Sequence, residues 1–287
     1  MAKSKNILIT GASTGIGYDL AKIFVANGYA VYGSVRKQKD ADRLSADLGE
    51  NFKPLIFDVT DYDAVDKAAA DLAKEIGDAG LAGLVNNAGI AVGGPFMDMS
   101  IDEFKYQFDV NVFGLIKVTQ AFLPLLGARE NAPFDPGKIV QISSVAGRHG
   151  MPFMAPYSGS KHALEGITES LRKELLLFGI DVILIEPGPI KTPIWNKGAS
   201  ELVEEKFKGS IFYPALIKFQ TKFVAKAVKN AWTSDRAAKI IFDAFEAKRS
   251  KTRYLIVPQK FMNWTVPRLM PTRTVDKFIG KAIGLLK

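Results

Sequence analysis

Tyr157 stands four residues before Lys161 in the stretch PYSGSKHALEG. A phenol and an ammonium at that spacing lie one turn apart on one helix face and can meet. A free tyrosine, with a pKa near 10, is a poor acid-base group at neutral pH. A neighbouring cation favours its phenolate and lowers that value towards working pH. The chemistry on offer is proton transfer to or from an oxygen. The same spacing recurs in YDLAK, where Tyr18 precedes Lys22, so spacing alone does not choose between the two pairs. Their surroundings must.

Those surroundings are set by the order of elements. NILIT (6–10), YAVYGSV (29–35), FKPLIF (52–57), AGLVNN (82–87), GKIVQIS (137–143), IDVILIEP (180–187) and TRYLIV (252–257) are continuous apolar runs. Runs of this kind suit strands of a parallel sheet covered on both faces. Helical spacing occupies 15–27, 100–126 and 156–178 between them. Alternation of strands and helices with right-handed crossovers predicts an α/β fold, a doubly wound parallel Rossmann-type sheet of about seven strands. One domain over 1–287 is expected. Within it, 188–230, entered through EPGPIKTPIW with its three prolines in ten residues, reads as a cover over the substrate side, and 258–287 as a helical tail. Tyr157 then opens a helix just beyond a strand end, at the sheet edge where such folds bind ligands. Tyr18 lies inside the first helix.

TGASTGIG (10–17) joins the first strand to the first helix. Its glycines permit a tight turn, and the helix N-terminus behind it favours an anion such as a pyrophosphate. The pattern is TGxxxGxG rather than GxGxxG. With DVTD (58–61), NNAG (86–89), DVNVFG around Asn111, ISSVAG with Ser144 thirteen residues before Tyr157, and EPGPIKT after the sixth strand, the chain resembles the short-chain dehydrogenase/reductase family. The tail is similar to tails of the steroid and retinol dehydrogenase branch.

The resemblance implies a hydride-transferring oxidoreductase whose catalytic residues are Asn111, Ser144, Tyr157 and Lys161. Tyr157 would be the acid-base group. Lys161 would hold the nicotinamide ribose, Ser144 the substrate oxygen, and Asn111 a water of a proton relay. The cofactor would lie along Gly11, Ser13, Gly15, Ile16, Gly17, Asp58, Val59, Asn87, Ala88, Gly89, Pro187, Gly188 and Thr192. Members specific for NAD end the second strand with an acid; here Val35 and Arg36 stand in that place. An arginine suits a 2′-phosphate, so NADP(H) is expected over NAD(H). Met151, Phe153, Met154, Ile194 and Trp195, with Phe212 and Tyr213, would line an apolar alcohol or ketone site. A homodimer or homotetramer is expected.

Composition narrows the alternatives. There is no cysteine and there are two histidines, so no metal centre is expected and a reducing cytoplasm fits. His149 and His162 read as packing or surface residues. The net charge of +8 is uneven: residues 1–190 carry 18 Lys and Arg against 23 Asp and Glu, and residues 191–287 carry 20 against 7. A solvated basic surface is the first reading, and attraction to an acidic partner, an anionic lipid or nucleic acid the sharper one. Nucleic acid is not expected, because aromatic-basic interleaving is missing. Two other functions compete with the enzyme: a redox sensor or scaffold that binds NADP(H) without turnover, and a peripheral membrane protein using its basic C-terminal part.

Overall fold

The structure, a computed structural model, describes residues 4–194 and 205–286. Seven parallel strands form one sheet in the order β3-β2-β1-β4-β5-β6-β9. They are β1 (Asn6–Ile9), β2 (Ala30–Val35), β3 (Phe52–Ile56), β4 (Gly83–Asn86), β5 (Lys138–Ile142), β6 (Asp181–Pro187) and β9 (Arg253–Ile256). All seven expected runs are strands. A further pair, β7 (Ile190–Lys191) and β8 (Trp232–Thr233), forms a separate two-stranded ladder. Each of its members is too short to leave a pattern in the sequence.

The order reverses between β1 and β4, so the C-terminal ends of these two strands flank the crevice where such sheets bind ligands. Both faces of the sheet are covered, as continuous apolar runs require. On one face, α1 (Gly15–Ala26), α2 (Gln38–Leu48) and α7 (Ser234–Glu246) bury Leu20, Phe24, Leu44 and Phe242 against Ile7, Ile9 and Ile183. Phe24 meets Tyr29, Phe242 and Phe245 edge-on, with ring centroids 5.0–5.2 Å apart. On the other face, α3 (Tyr62–Ile76), the long helix α4 (Ile101–Leu126) and α5 (Ala155–Glu174) close over Leu8, Leu84 and Val182. Among the described residues α4 alone is long and apolar enough to cross a membrane, and over half of it is buried in this core.

Helix starts follow local chemistry. Asp61, the last residue of DVTD, caps α3 by accepting from the Ala64 N–H. Ser100 and Glu103 form a reciprocal capping box at the start of α4. Inside α4, Asp109–Gly114 is a π turn. One extra residue in that turn re-aims the side chains it carries, Asn111 among them. After β7 comes α6 (213–229), then β8, α7 and β9, and the chain ends in a helix, α8 (Thr272–Ile283).

Candidate active site

The glycine loop is fixed from below by polar bonds. Thr10 Oγ1 accepts the backbone N–H groups of Asn87 and Ala88, both at 3.0 Å. Asn87 Nδ2 in turn donates to the carbonyls of Thr10 (2.9 Å) and Gly11 (3.1 Å). Ser34 Oγ accepts from the Gly11 N–H at 3.0 Å. Gly11 and Gly15 have φ of +65° and +59°, where a side chain is strained. A Cβ at Gly17 would lie 2.3 Å from the Gly11 oxygen. Thr14, which precedes α1, makes no side-chain cap, so it leaves the first N–H groups of the helix to another acceptor. Ile16 is half-buried against the core, and Thr192 closes over Gly15, within 3.0 Å of a Cβ built there. A concave anion site with free N–H donors and no room for side chains fits a pyrophosphate.

Around this cradle the structure gathers most of the expected residues. Asp58 accepts from the Thr60 N–H at 3.0 Å and hydroxyl at 2.8 Å, which fixes its carboxylate at the end of β3. Arg36 lies 3.8 Å from Asp58 and is more than half exposed. Val59 packs on Gly114 of the π turn. Gly89 faces Asn111, whose Oδ1 accepts from the Ile90 N–H (2.9 Å) and whose Nδ2 donates to the Ile90 carbonyl (3.0 Å). Gly188 donates to the Ile256 carbonyl of β9 at 2.8 Å. Pro187 accepts from Ser144 Oγ at 3.4 Å.

Tyr157, Ser144 and Lys161 converge at the C-terminal end of β5. Lys161 Nζ donates to the Ile142 carbonyl at 2.8 Å and stands 5.9 Å from the centroid of the Tyr157 ring. The Lys161 side chain is buried; desolvation pushes its pKa down to about 8, against the attraction of Glu165 one turn on. Burial likewise raises the pKa of Tyr157, and a hydrogen bond from Ser144 opposes that rise. The sequence led us to expect a lowered tyrosine. The direction is reversed because enclosure in a low-dielectric wall penalises phenolate more than its polar neighbours favour it. The rival pair has a different setting: the Tyr18 hydroxyl bonds Asp47, and Lys22 is exposed.

Four contributors lay beyond the motif reading. Ser160 accepts from Asn111 Nδ2 at 3.2 Å and donates to the Tyr157 carbonyl at 2.8 Å, linking α4 to α5 beneath the phenol. Gln107, one turn before Asn111 and fully buried, braces the same loop through Val92 N–H (2.6 Å) and the Ile90 carbonyl (3.0 Å). Their spacing from Asn111 and Tyr157 was the only signal in the sequence. Arg43 of α2 reaches the glycine loop and donates to the Ser13 carbonyl at 2.6 Å; nothing in the sequence joins residues thirty apart. Arg253 of β9 binds Glu165 and Glu186 below Lys161.

On the open side, Phe153 adopts φ +63° and meets the rings of Phe212 and Phe219 edge-on. Met154 faces Gly93, its sulfur 3.0 Å from a Cβ built there. Phe207, Leu216 and Met99 form a small buried cluster behind Phe153. Met151 and Ile194 are half-buried. Trp195 lies outside the described residues. Val35 is 3% exposed and packs in the core, so of the two residues only Arg36 projects outwards. His162 is exposed and bonded to the Ser158 carbonyl, while His149 is half-buried with its ring edge against Trp264.

The family model for short chain dehydrogenases matches residues 5–202. The chain is 42% identical over 281 residues to an NADPH-dependent 3-dehydrocapnine reductase of Ornithobacterium rhinotracheale, covering 97% of each protein. A short-chain dehydrogenase from Streptomyces avermitilis superposes with a TM-score of 0.75 at 29% identity, over 98% of both chains. ElxO with NADP bound superposes with a TM-score of 0.70 at 26% identity, over 90% of this chain and 99% of that one.

Proposed function

The chain belongs to the short-chain dehydrogenase family, and from that premise we propose that it is an NADP(H)-dependent reductase of an apolar ketone, with Tyr157 as proton donor. The observation that carries this reading is the convergence of Tyr157, Ser144 and Lys161 at the C-terminal end of β5. The NADPH dependence of the Ornithobacterium reductase and the NADP bound by ElxO support the choice of cofactor, as does Arg36.

The backbone of Gly11–Gly17 would take the pyrophosphate, Asp58 and Val59 the adenine, and Asn87–Gly89 with Pro187, Gly188 and Thr192 the nicotinamide half. A dinucleotide held there would supply the hydride that a carbonyl carbon needs. Tyr157 gives its phenolic proton to the carbonyl oxygen. Burial keeps the phenol protonated at neutral pH, so the fall in proton affinity needed for transfer has to come from the positive charge of Lys161 beside it. Ser144 turns its hydroxyl to the same oxygen and donates as charge develops there. The Lys161 ammonium stabilises the phenolate that remains. Asn111 and Gln107 hold the 87–92 loop, and the rings of Phe153, Phe212 and Phe219 favour an apolar body next to the ketone.

Tyr157→Phe tests the assignment, since it removes one hydroxyl and leaves the ring. General acid catalysis contributes roughly 10²–10⁴-fold, so kcat should fall by about 10² or more while the Kd for NADPH stays within about twofold. Retention of a tenth of wild-type kcat on a good ketone would show that another group donates the proton.

A further inference from the structure

The last third of the chain carries its charge in stripes. On α6, Lys218, Lys222, Lys226 and Lys229 follow one another at three- or four-residue spacing, and all four are exposed. No Asp or Glu occurs between residues 206 and 234. On α8, Arg273, Lys277 and Lys281 repeat every fourth residue and are likewise exposed. Residues at this spacing share one helix face. None of these seven cations has a carboxylate within ion-pair distance among the described residues. The two stripes adjoin, because α8 packs on the first turns of α6 and its terminal Gly284 sits against the end of Lys218.

Apolar side chains are exposed on α8 and on the segment that leads into it. The sequence gives α8 an apolar stripe, and Val275, Ile279, Ala282 and Ile283 do turn inwards. Phe278, on that stripe by its spacing, is 70% exposed, as are Leu269 (78%) and Phe261 (66%). With Met270, Leu285 and Leu286 they make six of the sixteen large apolar side chains exposed among the described residues, all within the final thirty positions. Phe278 falls beside the basic stripe, not opposite it. Unpaired cations repel one another, and clustered exposed apolar groups are costly in water. Both penalties are relieved by a partner that is anionic at its surface and hydrocarbon just beneath.

We propose that the face formed by α6, α8 and the 258–270 segment docks on an anionic lipid bilayer. Its cations meet the headgroups, and Phe278, Leu269 and Phe261 enter the acyl boundary. The same α6 that carries the lysine stripe carries Phe219, whose ring packs on Phe153. If the reductase reading above holds, docking would bring the apolar lining of the substrate side to the lipid phase. Nucleic acid matches the charge but not the aliphatic residues Leu269, Leu285 and Leu286, which offer bases nothing to stack on.

The test is co-sedimentation of the full chain with phosphatidylcholine vesicles, with and without 30 mol% phosphatidylglycerol, at about 0.1 M salt. Binding is expected to the mixed vesicles and to fall steeply at high salt. Each basic side chain near such a surface contributes about fivefold, so Arg273→Gln, Lys277→Gln and Lys281→Gln together should weaken partitioning on the order of a hundredfold. Phe278→Ser should weaken it without changing the salt dependence. An unchanged melting temperature in both variants establishes that they are folded. Failure of wild type to bind, equal binding to neutral vesicles, wild-type binding by the triple variant, or displacement from the vesicles by duplex DNA would each overturn the proposal. Vesicle binding is read without turnover, so it stands or falls separately from the reductase assignment.

Discussion

Replacing Lys161 by methionine should make the protein more stable and inactive at once. The side chain is 6% exposed and its pKa is pushed down from the usual 10.5 to about 8 by burial. At about 1.4 kcal/mol per tenfold change in proton affinity, keeping the ammonium charged in the folded state at pH 7 costs roughly 3 kcal/mol. Methionine preserves most of the methylene packing and removes that cost. Loss of the bond to the Ile142 carbonyl takes back about 1 kcal/mol, leaving a net gain of about 2 kcal/mol. The pH dependence separates this explanation from simple repacking. Between pH 8 and 10.5 the unfolded chain holds a proton on Lys161 that the folded chain has released, so stability rises with pH across that window. The variant lacks the term. Urea unfolding of both proteins at pH 7.0 and pH 9.5 therefore should show the gap between them shrinking by about 2 kcal/mol at the higher pH. A variant less stable than wild type at pH 7, or a gap that does not move with pH, would refute the reasoning. Turnover at pH 7.0 should drop by about 10² or more, because the charge beside Tyr157 is gone.

Cofactor preference should depend on two arginines. Each charge-assisted bond to a phosphate contributes about 1.5–3 kcal/mol. Arg36→Ala and Arg43→Ala should each lower kcat/KM for NADPH by about tenfold or more and leave NADH within about threefold. Equal losses with both cofactors would mean that Arg43 merely ties α2 to the glycine loop through the Ser13 carbonyl. At Gly17 an added methyl would meet the Gly11 carbonyl and Asn87 Nδ2, so the loop must move. Gly17→Ala should cost about 1–3 kcal/mol of stability and abolish detectable NADPH binding by fluorescence titration; binding within about threefold of wild type would contradict the tight cradle.

The sheet was legible because its strands are buried on both faces and so appear as unbroken apolar runs; IDVILIEP and GKIVQIS could hardly be anything else. The catalytic group was legible because its parts lie near one another in sequence or at strand ends. What escaped notice depends on distance in the chain or on a change of helical pitch. Arg43 reaches Ser13 across thirty residues. The π turn at Asp109–Gly114 has no composition of its own, although it decides where Asn111 points. Val35 appeared interchangeable with Arg36 until the pleat placed one in the core and the other outside. On α8 periodicity grouped Phe278 with Ile279 and Ile283, but a helix lying on a surface buries a narrower arc than its apolar residues span. The sign of the Tyr157 shift could not be read from types and spacing, since desolvation depends on everything packed around the ring.

The pairing of β9 with β6 has a consequence for synthesis. Gly188, at the mouth of the cofactor crevice, is held by the Ile256 carbonyl, and Glu186 just before it is neutralised by Arg253. Both partners are made after more than four fifths of the chain has emerged. Until then β6 is an open edge rich in isoleucine and leucine, and its buried carboxylate has only Arg148, 3.7 Å away, as counterion. A nascent chain in that condition can fold its first six strands yet cannot finish its crevice, and it presents a template for pairing with its neighbours. Cofactor binding is thus a property acquired late in translation, and premature termination anywhere before residue 253 yields a polypeptide prone to association instead of a smaller enzyme.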